Sequence, residues 1–209
     1  MGTVAFSPDG TCLALATIDS DEVWIWDPVT GEILRTFPGT EYERDYGPLG
    51  GGPEGVHAVA YSPDGTLLAT GGDDYIDAFL RDPATGRILH CLGEMDSLVR
   101  AVAFSPDSTR LATGGQGGVA RIWNARTGEP LRTLTCDSGR VRTLAFSPDG
   151  TQLAIGSDDR TVRIYDPATG EAVTMMRTDG SVLSCAYSPD ERLIAVGTTA
   201  GLCVYTLHP

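Results

Sequence analysis

Two arginines and a histidine stand at matching places along this chain, with a third arginine close to one of them. His57, Arg100 and Arg142 each lie six residues before a proline of a recurring phrase, and Arg140 lies two residues ahead of Arg142. Leu183 holds the fourth such place. A guanidinium keeps its charge at any physiological pH. Three of them on an acidic chain make a local positive spot, suited to an acidic peptide or a phosphate-bearing partner. The competing use is local: the turn aspartates Asp73, Asp74, Asp158 and Asp159 can pair with the same arginines. A second candidate group is Tyr42, Arg44 and Tyr46, in PGTEYERDYGPLGGGPEG (38–55). Tyrosine and arginine suit recognition; the alternative is a solvated loop.

Catalytic patterns are missing from the sequence. His57, His90 and His208 are far apart, and no H-x-H, H-E-x-x-H or paired C-x-x-C occurs, so neither metal ligands nor a zinc site is expected. There is no phosphate-loop motif, and no lysine to complete one, because all 15 basic residues are arginine. No G-x-S-x-G elbow is present. DSDE (19–22) lacks the glycine and distal glutamate of a calcium loop. Carboxylates are plentiful but belong to repeated turns. The reading is therefore a non-enzyme with no catalytic residue and no cofactor.

Composition narrows the partners. The 209 residues are 41% hydrophobic and 21% charged, enough for a folded core. A net charge of −13 disfavours bare nucleic acid and anionic lipid. No run approaches the length of a membrane helix, and the first residues lack a signal-peptide pattern. Cys12, Cys91, Cys136, Cys185 and Cys203 are odd in number and dispersed, which reads as reduced core thiols in a cytoplasmic protein.

The elements that position these residues come from a repeat. AFSPDG (5–10) returns as AYSPDG (60–65), AFSPDS (103–108), AFSPDG (145–150) and AYSPDE (186–191). The prolines at 8, 63, 106, 148 and 189 are spaced by 55, 43, 42 and 41 residues. A period near forty signals a repeat array. In the fourth copy, VRTLAFS (141–147), TQLAIGS (151–157), TVRIYD (161–166) and EAVTMMR (171–177) read as strands, separated by PDG, DDR and PATG turns. SPDG is then the hairpin between the first two strands. A four-stranded unit cannot bury both faces alone, so the units must stack. The fold class is all-β.

These units resemble WD40 repeats of β-propellers. The resemblance rests on AFSPDG, on LATGG (68–72, 111–115), on third strands ending IWD (25–27), IWN (122–124) or IYD (164–166), and on the DPATG turn (82–86, 166–170). It implies a β-propeller of five WD40-type blades: 1–37, 56–92, 98–134, 140–177 and 181–209, with a top-face insertion at 38–55 and a single domain over 1–209. The fifth blade lacks its outer strand. The blades would close as a five-bladed ring or form an open arc of a larger one. Met1 aligns with Val56, Val99, Val141 and Val182, as a valine codon read as a start would, which favours a bacterial origin and a piece of a longer propeller.

Departures from the family pattern carry expectations too. Gly52, Met95, Asp137 and Thr178 stand where the family often has histidine, so its polar network is incomplete in every blade, although Thr113 and Trp123 remain in blade three. In blade two, Arg81 occupies the tryptophan place; either a bulge brings Phe79 there or the arginine emerges at the edge, and the bulge is favoured because it avoids burying a charge. The resemblance implies a non-catalytic scaffold that binds a protein or peptide through the top face, where His57, Arg100, Arg140 and Arg142 would ring the channel mouth beside Tyr42, Arg44 and Tyr46. The alternatives are a hydrolase-like or lyase-like enzyme at the channel mouth, and purely structural blades of a larger signalling protein. Self-association through the incomplete fifth blade is a further expectation.

Overall fold

The computed structural model describes residues 2–17, 22–39, 55–72, 78–93, 98–136 and 139–207. Their regular structure is entirely β. The strands are β1 (Thr3–Phe6), β2 (Leu13–Ala16), β3 (Glu22–Trp26), β4 (Ile33–Pro38), β5 (Val56–Tyr61), β6 (Leu68–Gly72), β7 (Ala78–Arg81), β8 (Ile88–Leu92), β9 (Val99–Phe104), β10 (Arg110–Gly115), β11 (Val119–Asn124), β12 (Pro130–Thr135), β13 (Val141–Phe146), β14 (Leu153–Ser157), β15 (Thr161–Tyr165), β16 (Ala172–Arg177), β17 (Val182–Tyr187), β18 (Leu193–Thr198) and β19 (Gly201–Thr206). They form five antiparallel sheets, one per repeat, each with its strands in chain order. The fifth, β17-β18-β19, has three strands among the described residues. The chain divides into two compact units, Met1–Val99 and Arg100–Pro209.

Each SPDG hairpin is held by its own side chains. The serine hydroxyl donates to the aspartate two residues on at 2.6 Å in all five copies, Ser7–Asp9 through Ser188–Asp190. The same oxygen accepts the main-chain N–H of the residue five further on, at 2.9–3.0 Å. The turn closes on a left-handed residue. It is glycine at Gly10, Gly65 and Gly150, whereas Ser108 and Glu191 take φ of 60° and 61°. The third-to-fourth strand turns use a second device: Asp27, Asp82, Asn124 and Asp166 accept main-chain N–H groups two and three residues on.

Packing runs from one blade to the next. In the first unit, Ala14, Ala16, Val23, Ile25 and Phe37 of blade one meet Val56, Val59 and Leu68 of blade two. In the second, Ala112, Ala120, Ile122 and Leu134 of blade three meet Val141, Leu144, Leu153, Ile155 and Tyr165 of blade four. Ala154, Val162 and Ile164 of blade four meet Val182, Ile194 and Val196 of blade five. The contacts interlock. A Cβ on Gly114 would lie 2.6 Å from the Val141 side chain, and one on Gly156 would lie 2.5 Å from that of Val182. In blades three and four, glycine in the second strand is thus the hole that receives the valine opening the next blade.

The last residue of the paired third strand sits on a bulge against the fourth strand. The slip falls at Ile25/Trp26, Leu80/Arg81, Ile122/Trp123 and Ile164/Tyr165. In blade three, Trp123 Nε1 donates to Thr113 Oγ1 at 2.8 Å. Tyr165 and its blade-five counterpart Tyr205 instead donate to Thr135 and Arg177 carbonyls of the preceding blade, both at 2.9 Å. Ile155 and Val196 hold the Thr113 place there and offer no hydroxyl.

The expected shift of Phe79 into the tryptophan place of blade two does not occur. β6 and β7 pair without a slip, Leu68 opposite Arg81 and Thr70 opposite Phe79. Arg81 itself fills the place and is 2% exposed. Its Nε donates to Thr70 Oγ1 (3.3 Å), as the indole does in blade three. Nη1 donates to the Gly86 carbonyl (3.1 Å) and Nη2 to the Gly39 carbonyl (2.5 Å). The Phe37 and Phe79 rings lie 5.4 and 5.2 Å from the guanidinium carbon. Taking a cation out of water is costly, and here a hydroxyl, two carbonyl dipoles and two aromatic faces offset that cost.

Two outcomes follow from this architecture. Arg81→Ala leaves two carbonyls and a void behind, and should lower unfolding free energy by about 2–4 kcal/mol. Arg81→Trp restores the indole-to-threonine bond with Thr70 and should stay within about 1 kcal/mol of the parent in urea unfolding; a harmless Arg81→Ala would contradict the buried assignment. The second outcome concerns acid. Asp64, Asp107 and Asp149 are each held below the ordinary carboxylate value of 3.8, first by the serine hydroxyl and then by a threonine N–H. A carboxyl depressed in the fold adds stability above its unfolded value, and that stability is lost as pH falls through the folded value. Thermal midpoints should therefore fall from about pH 5 downward, and a Ser62→Ala/Ser105→Ala/Ser147→Ala variant should show a shallower acid slope.

Candidate functional site

The residues that differ between otherwise repeated blades collect where the first strand begins. Val56, Val99, Val141 and Val182 open these strands and are buried. The next residue is the variable one: His57, Arg100, Arg142 or Leu183. Pairing between first and second strands slips at Val56/Ala58, Val141/Thr143 and Val182/Ser184, so His57, Arg142 and Leu183 each sit on a β-bulge. A bulge leaves one residue out of the ladder and re-aims its side chain. Val141 and Val182 anchor their strands in glycine holes, and the residue beside the valine varies from blade to blade.

Blade four shows the surroundings of this place in most detail. Arg142 Nε pairs with Asp158 Oδ1 at 2.8 Å, with both side chains partly exposed. The Asp158 N–H donates to the Arg140 carbonyl (3.0 Å), and the Ser181 hydroxyl donates to the Asp158 carbonyl (3.2 Å). The turn between β14 and β15 therefore braces the starts of both β13 and β17. Asp159 serves that turn differently. It accepts Thr161 Oγ1 at 2.6 Å and pairs with Arg163 Nη1 at 2.7 Å. Burial alone would push the Asp159 carboxyl up, but the Thr161 and Arg163 bonds outweigh it and hold the group below its ordinary value.

The sequence-derived candidates thus separate. Arg140 and Arg142 come together at the β14–β15 turn, with Arg140 exposed, and Arg100 holds the equivalent place on β9 in the same unit. His57 holds it on β5 in the other unit. The expected pairing of arginine with turn aspartate is present for Arg142 and Asp158; Asp159 is taken instead by Arg163, which that reading did not single out. Tyr42, Arg44, Tyr46, Asp73 and Asp74 lie outside the described residues. The bulge was also missed, because its only trace is one extra residue between the valine and the alternating run.

Other places in the structure have less to offer. A cleft of about 330 Å³ between blades four and five is lined by Ser147, Asp149, Gln152, Tyr187, Asp190 and Leu207, most of them turn residues already hydrogen-bonded. Burial pushes the Cys185 thiol up to about 11, against a hydrogen bond from Thr143, and raises Cys136 too. Such thiols stay protonated and unreactive near neutral pH. Among the described residues, no three His, Cys, Asp or Glu side chains converge to hold a metal ion.

The sheets, their turns and the bulged third strands define a repeat protein of propeller-type blades. The family model for the WD domain, G-beta repeat, matches residues 47–76, 86–124 and 128–166, more than half of the chain. The chain belongs to the WD40 family. The matches fall on blades two to four and the strands that lead into them; blades one and five follow by internal repetition. A comparison with curated proteins finds no match. WD40 repeats generally act as scaffolds for protein–protein contact and are typically non-catalytic.

Proposed function

We propose that this protein is a non-catalytic, cytoplasmic scaffold that binds a protein or peptide partner at the sheet ends where the first strands begin. The observation that carries the reading is the position beside the buried first-strand valine, which is bulged in blades two, four and five. Blades two to five all open this strand with the valine but fill the next place with histidine, arginine or leucine. Uniform packing beneath variable side chains is how one scaffold presents a specific surface.

Arginine gives that surface its chemistry. Arg142 and Asp158 form a partly exposed ion pair, which is worth only about 0–1 kcal/mol. A partner carboxylate or phosphate can replace Asp158 at little cost, and Arg140 stands exposed beside it. An acidic partner segment therefore fits better than a basic one, despite the overall charge of −13. The dispersed free cysteines agree with a reducing compartment.

Affinity capture from a lysate of the producing cells tests the reading. Arg100→Glu/Arg142→Glu should lose a partner that the parent chain retains. Arg126→Glu/Ala168→Glu, which adds acid at the opposite sheet ends of the same two blades, should keep it. Equal capture by both variants would refute the placement.

A further inference from the structure

A further arginine stands at the blade-four sheet end, and the sequence reading did not single it out. Arg160 closes the turn between β14 and β15 and is exposed. Its φ is 65°, in the left-handed region that side chains disfavour. Strand register places Gly118, with φ of 69°, at the same point of blade three. Glycine holds that conformation without strain, so the turn itself does not call for arginine. The place is nonetheless fixed. The Arg160 N–H donates to the Ser157 carbonyl (3.3 Å), and the Arg160 carbonyl accepts the Thr178 N–H (2.9 Å). A long cation held at a conformational cost on a pinned turn points to a role outside the fold.

This is the same turn that braces Arg140 and Arg142. The Asp158 N–H reaches the Arg140 carbonyl, and the Asp158 carboxylate takes Arg142 Nε at 2.8 Å. That carboxylate satisfies one guanidinium of the three. Arg140 and Arg160 are exposed, and neither side chain makes a hydrogen bond or ion pair among the described residues. Of the other charges at this sheet end, Arg163 is tied to Asp159 at 2.7 Å, and Arg177 and Asp179 offset each other in number. Blade four therefore carries a local excess of positive charge on a chain of net charge −13.

We propose that Arg140, Arg142 and Arg160 form a seat for a phosphate monoester on a phosphorylated segment of the protein partner, and that Asp158 is the internal carboxylate it displaces. This seat lies within the partner-binding surface proposed above and depends on that reading for its partner. Asp158 indicates why the ligand is a phosphate rather than a carboxylate. The chain already offers a carboxylate here, and it leaves two guanidinium groups unpaired. A phosphate monoester carries about two negative charges near neutral pH and three strong acceptor oxygens, enough to engage all three arginines. Planar guanidinium groups match those oxygens with paired hydrogen bonds. The partly exposed Arg142–Asp158 pair gives way at little cost. Because Arg140 and Arg160 are exposed, the seat suits a phosphate borne on a polypeptide better than a small molecule that needs enclosure.

Fluorescence-anisotropy titration of the 209-residue chain tests the seat, with labelled peptides identical but for phosphoserine, glutamate or serine at one place. The parent should bind the phosphoserine peptide about tenfold tighter than the glutamate peptide, and the serine peptide weakest. Arg160→Gly should lose about tenfold in affinity for the phosphoserine peptide while melting no lower than the parent, because glycine suits the left-handed place. Arg140→Gln, which removes an exposed charge without intramolecular bonds, should lose a similar amount and keeps the test alive if the turn variant misfolds. Asp158→Asn frees Arg142 and should tighten binding by up to about fivefold. The proposal is overturned if the phosphoserine peptide does not bind, if it binds no better than the glutamate peptide, or if folded Arg160→Gly and Arg140→Gln both bind as the parent does. Phosphatase treatment of the lysate supplies the second arm and should abolish retention of the captured partner. Retention that survives phosphatase, yet is lost by Arg100→Glu/Arg142→Glu, overturns the phosphate seat and leaves the binding surface standing.

Discussion

A twisted four-stranded sheet has two faces, and water can wet only one of them without cost. In this protein both faces of a blade are written in apolar residues, so neither can be left to solvent cheaply. The cover is another blade of the same kind. Small residues of the second strand, Ala14 and Ala16 or Ala112 and Gly114, lie under the bulkier Val59 or Leu144 and Val141 of the next blade. The repeated Leu-Ala-Thr-Gly-Gly and Leu-Ala-Ile-Gly-Ser strands are therefore half of an interface. Gly114 and Gly156 are set by the next blade's Val141 and Val182 rather than by a turn.

The turns solve a different problem. Strand pairing with a period of two goes wrong by a single-residue slip, which would exchange the two faces. The Ser-Pro-Asp turn fixes the count. The serine oxygen serves one donor and one acceptor, the aspartate gathers further N–H groups, and proline restricts the backbone between them. Each turn is worth little by itself. Together they hold every hairpin in the register that stacking needs. Where the ladder is interrupted, it is interrupted at equivalent places: beside the first-strand valine, where variable residues stand, and before the fourth strand, where the aromatic residue of each complete blade or Arg81 stands.

Much of this was legible in the sequence, because repetition turns weak local signals into strong ones. The four strands assigned to the fourth copy fall where β13 to β16 lie, within two residues at their ends. Arg81 was misread for a physical reason. A lone sequence shows a charge at a core position but not the acceptors that make it tolerable, and Gly39 and Gly86 are acceptors only once blades one and two are stacked. The tyrosine latches were equally hidden, although a trace existed: tyrosine replaces tryptophan in the two blades whose second strand has Ile155 or Val196 in place of Thr113. Of the site, the variable positions were legible from alignment of the copies. The Arg142–Asp158 pair was one of two readings that charge alone allowed, and the division of labour between Asp158 and Asp159 depends on the fold of a three-residue turn.

Amide hydrogen exchange on β14 and β18 tests the central claim most directly. Both are central strands of their sheets, paired on each side, so ladder bonding does not distinguish them. They differ in cover: blade four has a neighbour on each face within its unit, and blade five has one. At concentrations low enough to prevent association, β14 should exchange at the slowest rate in the second unit and β18 many-fold faster. Equal protection would show that strand pairing within each blade, and not burial between blades, holds the structure together.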